Sequence, residues 1–448
     1  MTVLAHAKSF LHGLALAGAL VSAGLAAGAA PASAGSKVQE VVSKSGVRAY
    51  LITEEAVPFL SLSLHFRGGA AYDPPEKSGL AYMASGLLDE GAGPYDSQAF
   101  RAELEDNAIR LSFDADRDGL TGQLRALTRD REKAFELLRL ALTEPRFDEE
   151  PVERIRGQIQ AELRRSETDA NYVAGRTWFS RAFEGHPYAL PTRGTPESIA
   201  AITPDDLRGL VRERLARGNL SIGVSGDITA EELAPLLDEV FGALPAEPSL
   251  PEIAEKPPET GGLVVVEMAQ PQSVVTFGHA GIERHDPDYY AAYVANYILG
   301  GGGFSSRLTE EVREKRGLAY SVYSYLYDTD AAPLWLGGVA TSNERVAESI
   351  AIVRAELARL AEEGVSEEEL ADARTYLTGS FPLRLTSNDQ VARMLVGMLV
   401  HDLGQDYIDR RNGLIEAISL EDVNRVARRL FASELLVTVV GAPEGLGG

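Results

Sequence analysis

The sequence predicts an α+β protein made of two related halves, each a largely antiparallel sheet with helices packed on one face. Polar and apolar residues alternate along 59–64, which is the period of a β-strand. Apolar residues recur every three or four positions along 346–360, as on one side of a helix that Gly364 ends. Ser366 and Glu369 then form the capping box of a following helix.

The second half repeats the first about 215 residues later, in several short matches that keep the same order. The matching segments are 58–74 with 272–287, 202–207 with 418–423, and 220–224 with 435–439. Between the halves, residues 244–262 hold five prolines among scattered acids, which predicts an extended linker. The predicted organisation is therefore a domain over 35–243, the linker, and a second domain over 263–448.

Residues 1–34 have the pattern of a cleavable export signal. Lys8 precedes an apolar run over 10–30, and 32–34 read Ala-Ser-Ala before Gly35, a small-residue cleavage site. An N-terminal membrane anchor is the alternative, but the many Ala and Gly residues favour cleavage. We expect a mature protein in the periplasm or outside the cell, with no other segment apolar enough to span a bilayer.

Composition excludes several classes of function. The chain has 66 acidic and 43 basic residues and a net charge of −23, so nucleic acid and anionic membranes are poor partners and basic peptides are attracted. It contains no cysteine, which excludes disulfides, Cys-ligated zinc, iron–sulfur clusters and thiol catalysis.

Residues 300–327 hold the most informative local pattern, GGGGFSSRLTEEVREKRGLAYSVYSYLY. Four glycines predict a flexible turn, since no phosphate-binding motif follows them. Ser305 and Ser306 then begin a short helix that runs to about Arg316. From 318 to 327 the period changes to that of a strand, with Tyr320 expected on the same face as Val322.

This arrangement places Arg313 and Tyr320 seven residues apart across the end of a helix. A guanidinium and a phenol hydroxyl both suit the backbone carbonyls of an extended peptide lying beside the strand. The alternative, which composition alone favours, is a solvated helix charge beside an aromatic residue that fills the sheet.

The run 301–324 resembles the C-terminal half of the M16 zinc peptidases, the insulinase, pitrilysin and mitochondrial-processing-peptidase family. In that family an Arg and a Tyr at this spacing bind substrate, and the resemblance assigns that role to Arg313 and Tyr320. The resemblance extends over about 37–445, and it implies that the two halves face each other as a clamshell.

The same resemblance points to a zinc site that this chain has lost. Active members carry His-x-x-Glu-His on a helix of the first half. At these positions the present chain has Tyr82 and Gly86 in place of the histidines and Ser85 in place of the general base. None of these is a suitable zinc ligand, so the resemblance implies no catalytic residue and no metal in this chain.

Glu162 matches the family's third zinc ligand, and it follows Ile155 and Ile159 on an apolar helical stripe. A carboxylate there needs a partner. Two explanations stay open: a fraying helix end or a salt bridge to an Arg, and a leftover ligand that now bonds Tyr82. The five histidines beyond residue 34 show no zinc spacing and are interpreted as structural or surface residues, namely His65, His186, His279, His285 and His401.

We therefore expect a secreted, non-catalytic subunit that binds peptide and pairs with a zinc-bearing homologue containing His-x-x-Glu-His. Zinc is expected in that partner subunit, and the complex would hydrolyse peptides or unfolded segments. Two rivals remain: a stand-alone peptide-binding or chaperone-like protein, and a hydrolase with an unrecognised site around Glu162 and Tyr82.

Overall fold

Alternating apolar segments form two mixed β-sheets in the computed structural model, which describes residues 37–446. The first sheet has the strand order β1-β2-β6-β3-β5-β4 and the second β7-β11-β8-β10-β9. The strands are β1 Gln39–Val42, β2 Arg48–Thr53, β3 Phe59–Arg67, β4 Arg110–Ala115, β5 Gly119–Leu127, β6 Leu220–Gly226, β7 Leu263–Glu267, β8 Gln272–Ala280, β9 Ala319–Tyr327, β10 Leu334–Ser342 and β11 Leu436–Gly441.

Helices join and cover these strands. They are α1 Leu80–Ser85, α2 Ser97–Asp106, α3 Arg131–Thr143, α4 Glu149–Ser166, α5 Ala170–Ala182, α6 Pro196–Ala201, α7 Pro204–Arg214, α8 Ala230–Phe241, α9 Tyr289–Asn296, α10 Val346–Glu363, α11 Glu367–Gly379, α12 Asn388–Val400, α13 Tyr407–Glu416 and α14 Leu420–Phe431. The apolar side of α10 is buried as predicted, Gly364 follows it at φ 77°, and Ser366 with Glu369 forms the capping box of α11.

The two sheets share one topology, which confirms the predicted duplication. The order β2-β6-β3-β5-β4 recurs as β7-β11-β8-β10-β9, and β1 extends only the first sheet. Each sheet has a single parallel pair, β2 with β6 and β7 with β11, and its other pairs are antiparallel. The registers also correspond: Leu62 pairs with Val224 as Val275 pairs with Val439.

Each half supplies one helix to the sheet of the other half. Helix α5 packs on β8 and β11, where the buried Trp178 donates its indole N–H to the carbonyl of Leu436 at 3.1 Å. Helix α12 packs on β2, β3 and β6, where the Ser61 hydroxyl donates to Asp389. The predicted α+β class, with two halves that each have a mostly antiparallel sheet covered by helices, is confirmed, and each sheet in addition carries the exchanged helix on its opposite face.

Residues 244–262 contain neither helix nor strand, and they bond to both halves. The backbone amide of Ser249 donates to Glu213 in the first half, and that of Lys256 donates to Ala331 in the second. The predicted export signal over 1–34 lies outside the described residues. Within 37–446, no helix has the length and apolar character needed to cross a membrane.

Candidate functional site

Helix α1, which carries Tyr82, is fixed in place by a buried ion pair at its start. Asp73 accepts hydrogen bonds from the backbone amides of Gly79 and Ala81, at 3.1 and 3.2 Å. Arg214 donates to the same carboxylate at 2.8 Å, and both side chains are buried. Burial raises the pKa of Asp73 to about 6, although Arg214 acts in the opposite direction.

Tyr82, Glu162 and Arg193 form a closed polar network, called the Tyr82 network below. The Tyr82 hydroxyl donates to one carboxylate oxygen of Glu162 at 3.2 Å, and Arg193 donates to the other at 2.7 Å. The Arg193 guanidinium also lies 5.4 Å from the centre of the Tyr82 ring. Burial, and then the nearby Glu162 carboxylate, raise the pKa of the Tyr82 hydroxyl.

The network decides between the explanations left open for Glu162. Each of the two named a contact that the structure shows. Glu162 bonds Tyr82 and is also salt-bridged to an arginine, Arg193. The explanation that Glu162 lies at a fraying helix end is wrong, since α4 continues to Ser166. The half-exposed carboxylate thus has a partner on each oxygen.

The residues at the zinc positions do not fit a zinc ion. The buried Ser85 hydroxyl donates to the carbonyl of Tyr82 at 2.8 Å, and Gly86 has no side chain. Glu162 is the one carboxylate among these positions, and its oxygens are engaged by Tyr82 and Arg193. Across residues 37–446, no three His, Asp or Glu side chains come together in a way that could hold a metal.

The polypeptide leading to Arg313 is helical but differs from the prediction in two places. Gly300 belongs to a π-helical turn, Tyr297–Gly301, that packs against β9; a Cβ on Gly300 would lie 2.4 Å from the Ser324 hydroxyl. The predicted flexible turn is therefore wrong here, because close packing requires a residue without a side chain. The next helical segment, Thr309–Glu314, is also π-helical and ends two residues earlier than predicted.

The structure brings Arg313 and Tyr320 together and adds Phe304, which the sequence analysis missed. The Arg313 guanidinium lies 4.8 Å from the Tyr320 ring centre and 4.5 Å from that of Phe304, as in a cation held between two aromatic faces. Both rings are open to solvent, Tyr320 at 83% exposure and Phe304 at 72%. These three residues are called the aromatic clamp. An exposed Phe directly after four glycines is the signal that identifies its third member.

A β-bulge explains the exposure of Tyr320. Val322 pairs with Val339 and Ala319 with Thr341, so β9 has one extra residue between these pairs. Val322 is buried whereas Tyr320 points to solvent. The predicted strand is confirmed, but the expectation that Tyr320 shares the face of Val322 is wrong, because strict alternation ends at the bulge.

Two histidines have clear structural surroundings. His279 is fully buried, stacks on Trp335 at 4.9 Å, and donates from Nδ1 to the carbonyl of Ala280 at 2.6 Å. Burial lowers its pKa to about 4. His186 accepts from the backbone amide of Tyr188 and so caps a short helical turn.

Comparison with known protein families gives two matches. Residues 49–196 match the family described as insulinase, peptidase family M16, and residues 201–377 match the peptidase M16 inactive domain. Together these matches cover most of the first half and the part of the second half up to residue 377, including the Tyr82 network and the aromatic clamp.

Individual proteins show the same similarity. A Helicobacter pylori protein called non-peptidase homolog YmxG is 30% identical over 73% of this chain and 76% of its own length. A Bacillus subtilis protein, called an uncharacterized zinc protease, is 23% identical over 91% of this chain and 99% of its own. A crystal structure of a peptidase M16 inactive domain from Pseudomonas fluorescens superposes with a TM-score of 0.85 at 27% identity, over 92% of this chain and 99% of the other.

Proposed function

The chain belongs to the M16 (insulinase) peptidase family, and we propose that it is a non-catalytic, substrate-binding subunit of a zinc peptidase made of two different M16 chains. It grips a peptide with Arg313 and Tyr320. A partner subunit that carries His-x-x-Glu-His supplies the zinc and the hydrolytic water. The complex works in the periplasm or outside the cell on peptides or unfolded segments.

The single observation that carries this proposal is the aromatic clamp. Arg313 lies against both rings, which restrict its rotamers, and although its Nε pairs with Glu314 at 3.3 Å, its terminal N–H groups can donate to a ligand. Carbonyl oxygens of an extended peptide are acceptors of the right kind, and Tyr320 adds a hydroxyl on the same strand. An arginine that only increases solubility would not require two solvent-exposed aromatic neighbours.

The Tyr82 network supports the non-catalytic half of the proposal. Its carboxylate is held by Tyr82 and Arg193, and the two histidine positions carry Tyr82 and Gly86, so the ligands that would hold a water-activating zinc ion are missing there. The name of the Helicobacter pylori relative agrees with this view, whereas several other relatives are called uncharacterized zinc proteases. A hydrolytic site built from Glu162 and Tyr82 is disfavoured for the same reason.

A stand-alone peptide-binding protein is the second candidate, because the clamp by itself requires no partner. Mixing experiments separate the two. The chain alone should contain less than about one-tenth zinc per molecule and cleave no peptide, since a structural or catalytic zinc would be held tightly enough to survive purification. Mixed with its His-x-x-Glu-His homologue, it should produce peptidase activity that neither protein shows alone.

Substitutions in the clamp test its role in that activity. Arg313→Ala removes a charged hydrogen bond to substrate, worth about 1.5–3 kcal/mol, or about ten- to a hundredfold in kcat/KM if it acts in the transition state. Tyr320→Phe keeps the ring against Arg313 and should cost less. Arg345→Ala is the matched control, since Arg345 forms an exposed pair with Glu348 at the start of α10. Full activity of both clamp variants in an intact complex would refute the assignment.

A further inference from the structure

A row of aromatic side chains follows the aromatic clamp along β9. Tyr323, Tyr325 and Tyr327 lie on one face of the strand, with ring centres 6.2 Å apart at each step. Phe179 of α5 continues the row 6.4 Å beyond Tyr327. Exposure increases away from this junction between the halves, from the half-buried Tyr327 to 42% at Tyr325 and 51% at Tyr323. The three tyrosines are called the tyrosine ladder.

The position of the ladder suits an added strand. Within residues 37–446, β9 is the last strand of its sheet and pairs only with β10. Two residues of an extended chain span roughly 6.4–6.8 Å, close to the spacing of the tyrosine rings. A peptide that pairs with the open edge of β9 would therefore place every second side chain beside one ladder tyrosine, within the reach of cross-strand contacts.

The equivalent positions of the first half have no aromatic residues. Tyr323 pairs with Gly338 of β10 in the second half, as Ser112 pairs with Gln123 of β5 in the first. By the same register Tyr325 corresponds to the exposed Asp114. The first half thus has small or charged side chains where the second has large rings.

Exposed aromatic residues are also concentrated around the ladder. Of the large hydrophobic side chains exposed within 37–446, the aromatic ones are Phe304, Tyr320, Tyr323, Tyr325 and Tyr376. Two of these belong to the clamp and two to the ladder. Such a concentration is typical of a binding surface rather than of a general outer face.

Charge at the inner end of the ladder favours a basic ligand. Burial, and then the nearby Asp116 and Asp118 carboxylates, raise the pKa of the Tyr327 hydroxyl to about 12, although Arg117 acts in the opposite direction. Asp330 also lies at this junction, where its backbone amide donates to Asp118 and its carboxylate pairs with Arg67 at 2.8 Å. With a net charge of −23, the whole chain attracts basic peptides.

We propose that the tyrosine ladder is a row of subsites for an extended, basic peptide that pairs with β9 and carries bulky apolar side chains at every second position. This inference rests on the proposed function, because it extends the peptide held by the aromatic clamp along the same strand. Arg313 and Tyr320 hold the backbone, and Tyr323 and Tyr325 select the side chains.

Two labelled peptides of identical composition test the register. One has Phe at three alternate positions among Lys and Thr, and the other has the three Phe residues consecutively. Fluorescence anisotropy with the purified chain should give about tenfold tighter binding of the alternating peptide, since only that peptide can place a Phe ring beside each ladder tyrosine. The variant with Tyr323→Ser and Tyr325→Ser should lose that preference. Its counterpart with Tyr323→Phe and Tyr325→Phe should keep it, because the ring and not the hydroxyl makes the contact.

The outcomes distinguish this inference from the proposed function. If the Ser variant binds both peptides as the unaltered chain does, while Arg313→Ala weakens both, the ladder is not a subsite and the clamp survives. If the unaltered chain binds neither peptide, the inference fails, whereas the proposed function fails only if the mixed complex is also inactive. If the Ser variant keeps its peptide preference but no longer associates with the His-x-x-Glu-His homologue, the ladder is a subunit interface and the inference is wrong. Circular dichroism and thermal melting check that the variants are folded.

Discussion

The two halves of this protein share a strand order and a register but differ in what they present at equivalent positions. Tyr82 lies in α1 of the first half, and Tyr297 lies in the π-helical turn beside β9 of the second. Tyr82 bonds Glu162 of α4, whereas Tyr297 stacks on Tyr376 of α11 at 5.3 Å. The first half therefore has a closed polar network, whereas the second half has an open aromatic surface.

The difference shows which constraints come from the fold and which do not. Both halves keep the buried strands, the capping boxes of α7 and α14, and a helix that covers the other half's sheet. The surface residues at equivalent positions of the edge strands differ. The second half has Tyr323 and Tyr325 where the first has Ser112 and Asp114.

The largest predicted difference between the halves concerns two corresponding ion pairs. Arg214 and Asp73 in the first half are 2.8 Å apart, as are Arg429 and Asp286 in the second. The first pair is buried, while the Arg429 side chain is 57% exposed. Arg214→Ala should lower the free energy of unfolding by about 3–5 kcal/mol, because it leaves a carboxylate buried without its partner.

Arg429→Ala provides the matched control. Water screens that pair, so the loss should be below about 1 kcal/mol. Urea denaturation at neutral pH measures both variants. Equal losses in the two would mean that burial does not distinguish the pairs, and that α1 is not held by Asp73.

An intermediate effect is expected at His279, and it depends on pH. The register places Phe66 of the first half at the equivalent position, also fully buried. The pKa of His279 is lowered from 6.5 to about 4 in the folded state, so stability is full above pH 6.5 and falls as the pH drops from 6.5 to 4. The loss at pH 4 is roughly 3 kcal/mol, because protonation would place a cation among apolar rings.

His279→Phe, which copies the first half, should remove this part of the acid sensitivity. At pH 7.5 the variant should be less stable by about 0.5–1.5 kcal/mol, since the hydrogen bond to the carbonyl of Ala280 is lost. The free energies of unfolding should then cross as the pH decreases towards 4. Parallel stability curves for the two proteins between pH 7.5 and 4 would show that folding does not lower the pKa of His279.

Much of the architecture could be predicted from the sequence, because it depends on local and repeated signals. The apolar stripe of α10, the capping box at Ser366 and the strand after Gly317 each reflect chemistry within a few residues. The duplicated topology followed from matching segments in the same order. These features needed no knowledge of distant contacts.

The remaining features depend on contacts between distant segments. Ser61 and Ser63 alternate with leucines, a pattern typical of a strand with one solvent-exposed face. In the structure α12 covers that face and buries both serines. The bulge at Tyr320 arises in the pairing with β10, and the partner of Glu162, Arg193, comes from a loop 31 residues away. No local pattern specifies any of these contacts.

The smallest predicted effect compares the contacts of Tyr82 and Tyr297 directly. Tyr82→Phe removes the hydroxyl that donates to Glu162 at 3.2 Å and should lower the free energy of unfolding by about 1 kcal/mol, because the carboxylate keeps only Arg193 as a partner. Tyr376→Phe removes a hydroxyl from a ring that is 57% exposed and keeps the stack on Tyr297, so it should change stability by less than about 0.5 kcal/mol. Thermal melting of both variants beside the unaltered chain resolves this difference. A Tyr376→Phe loss as large as that of Tyr82→Phe would contradict the view that a polar network stabilises the first half where an aromatic surface is open in the second.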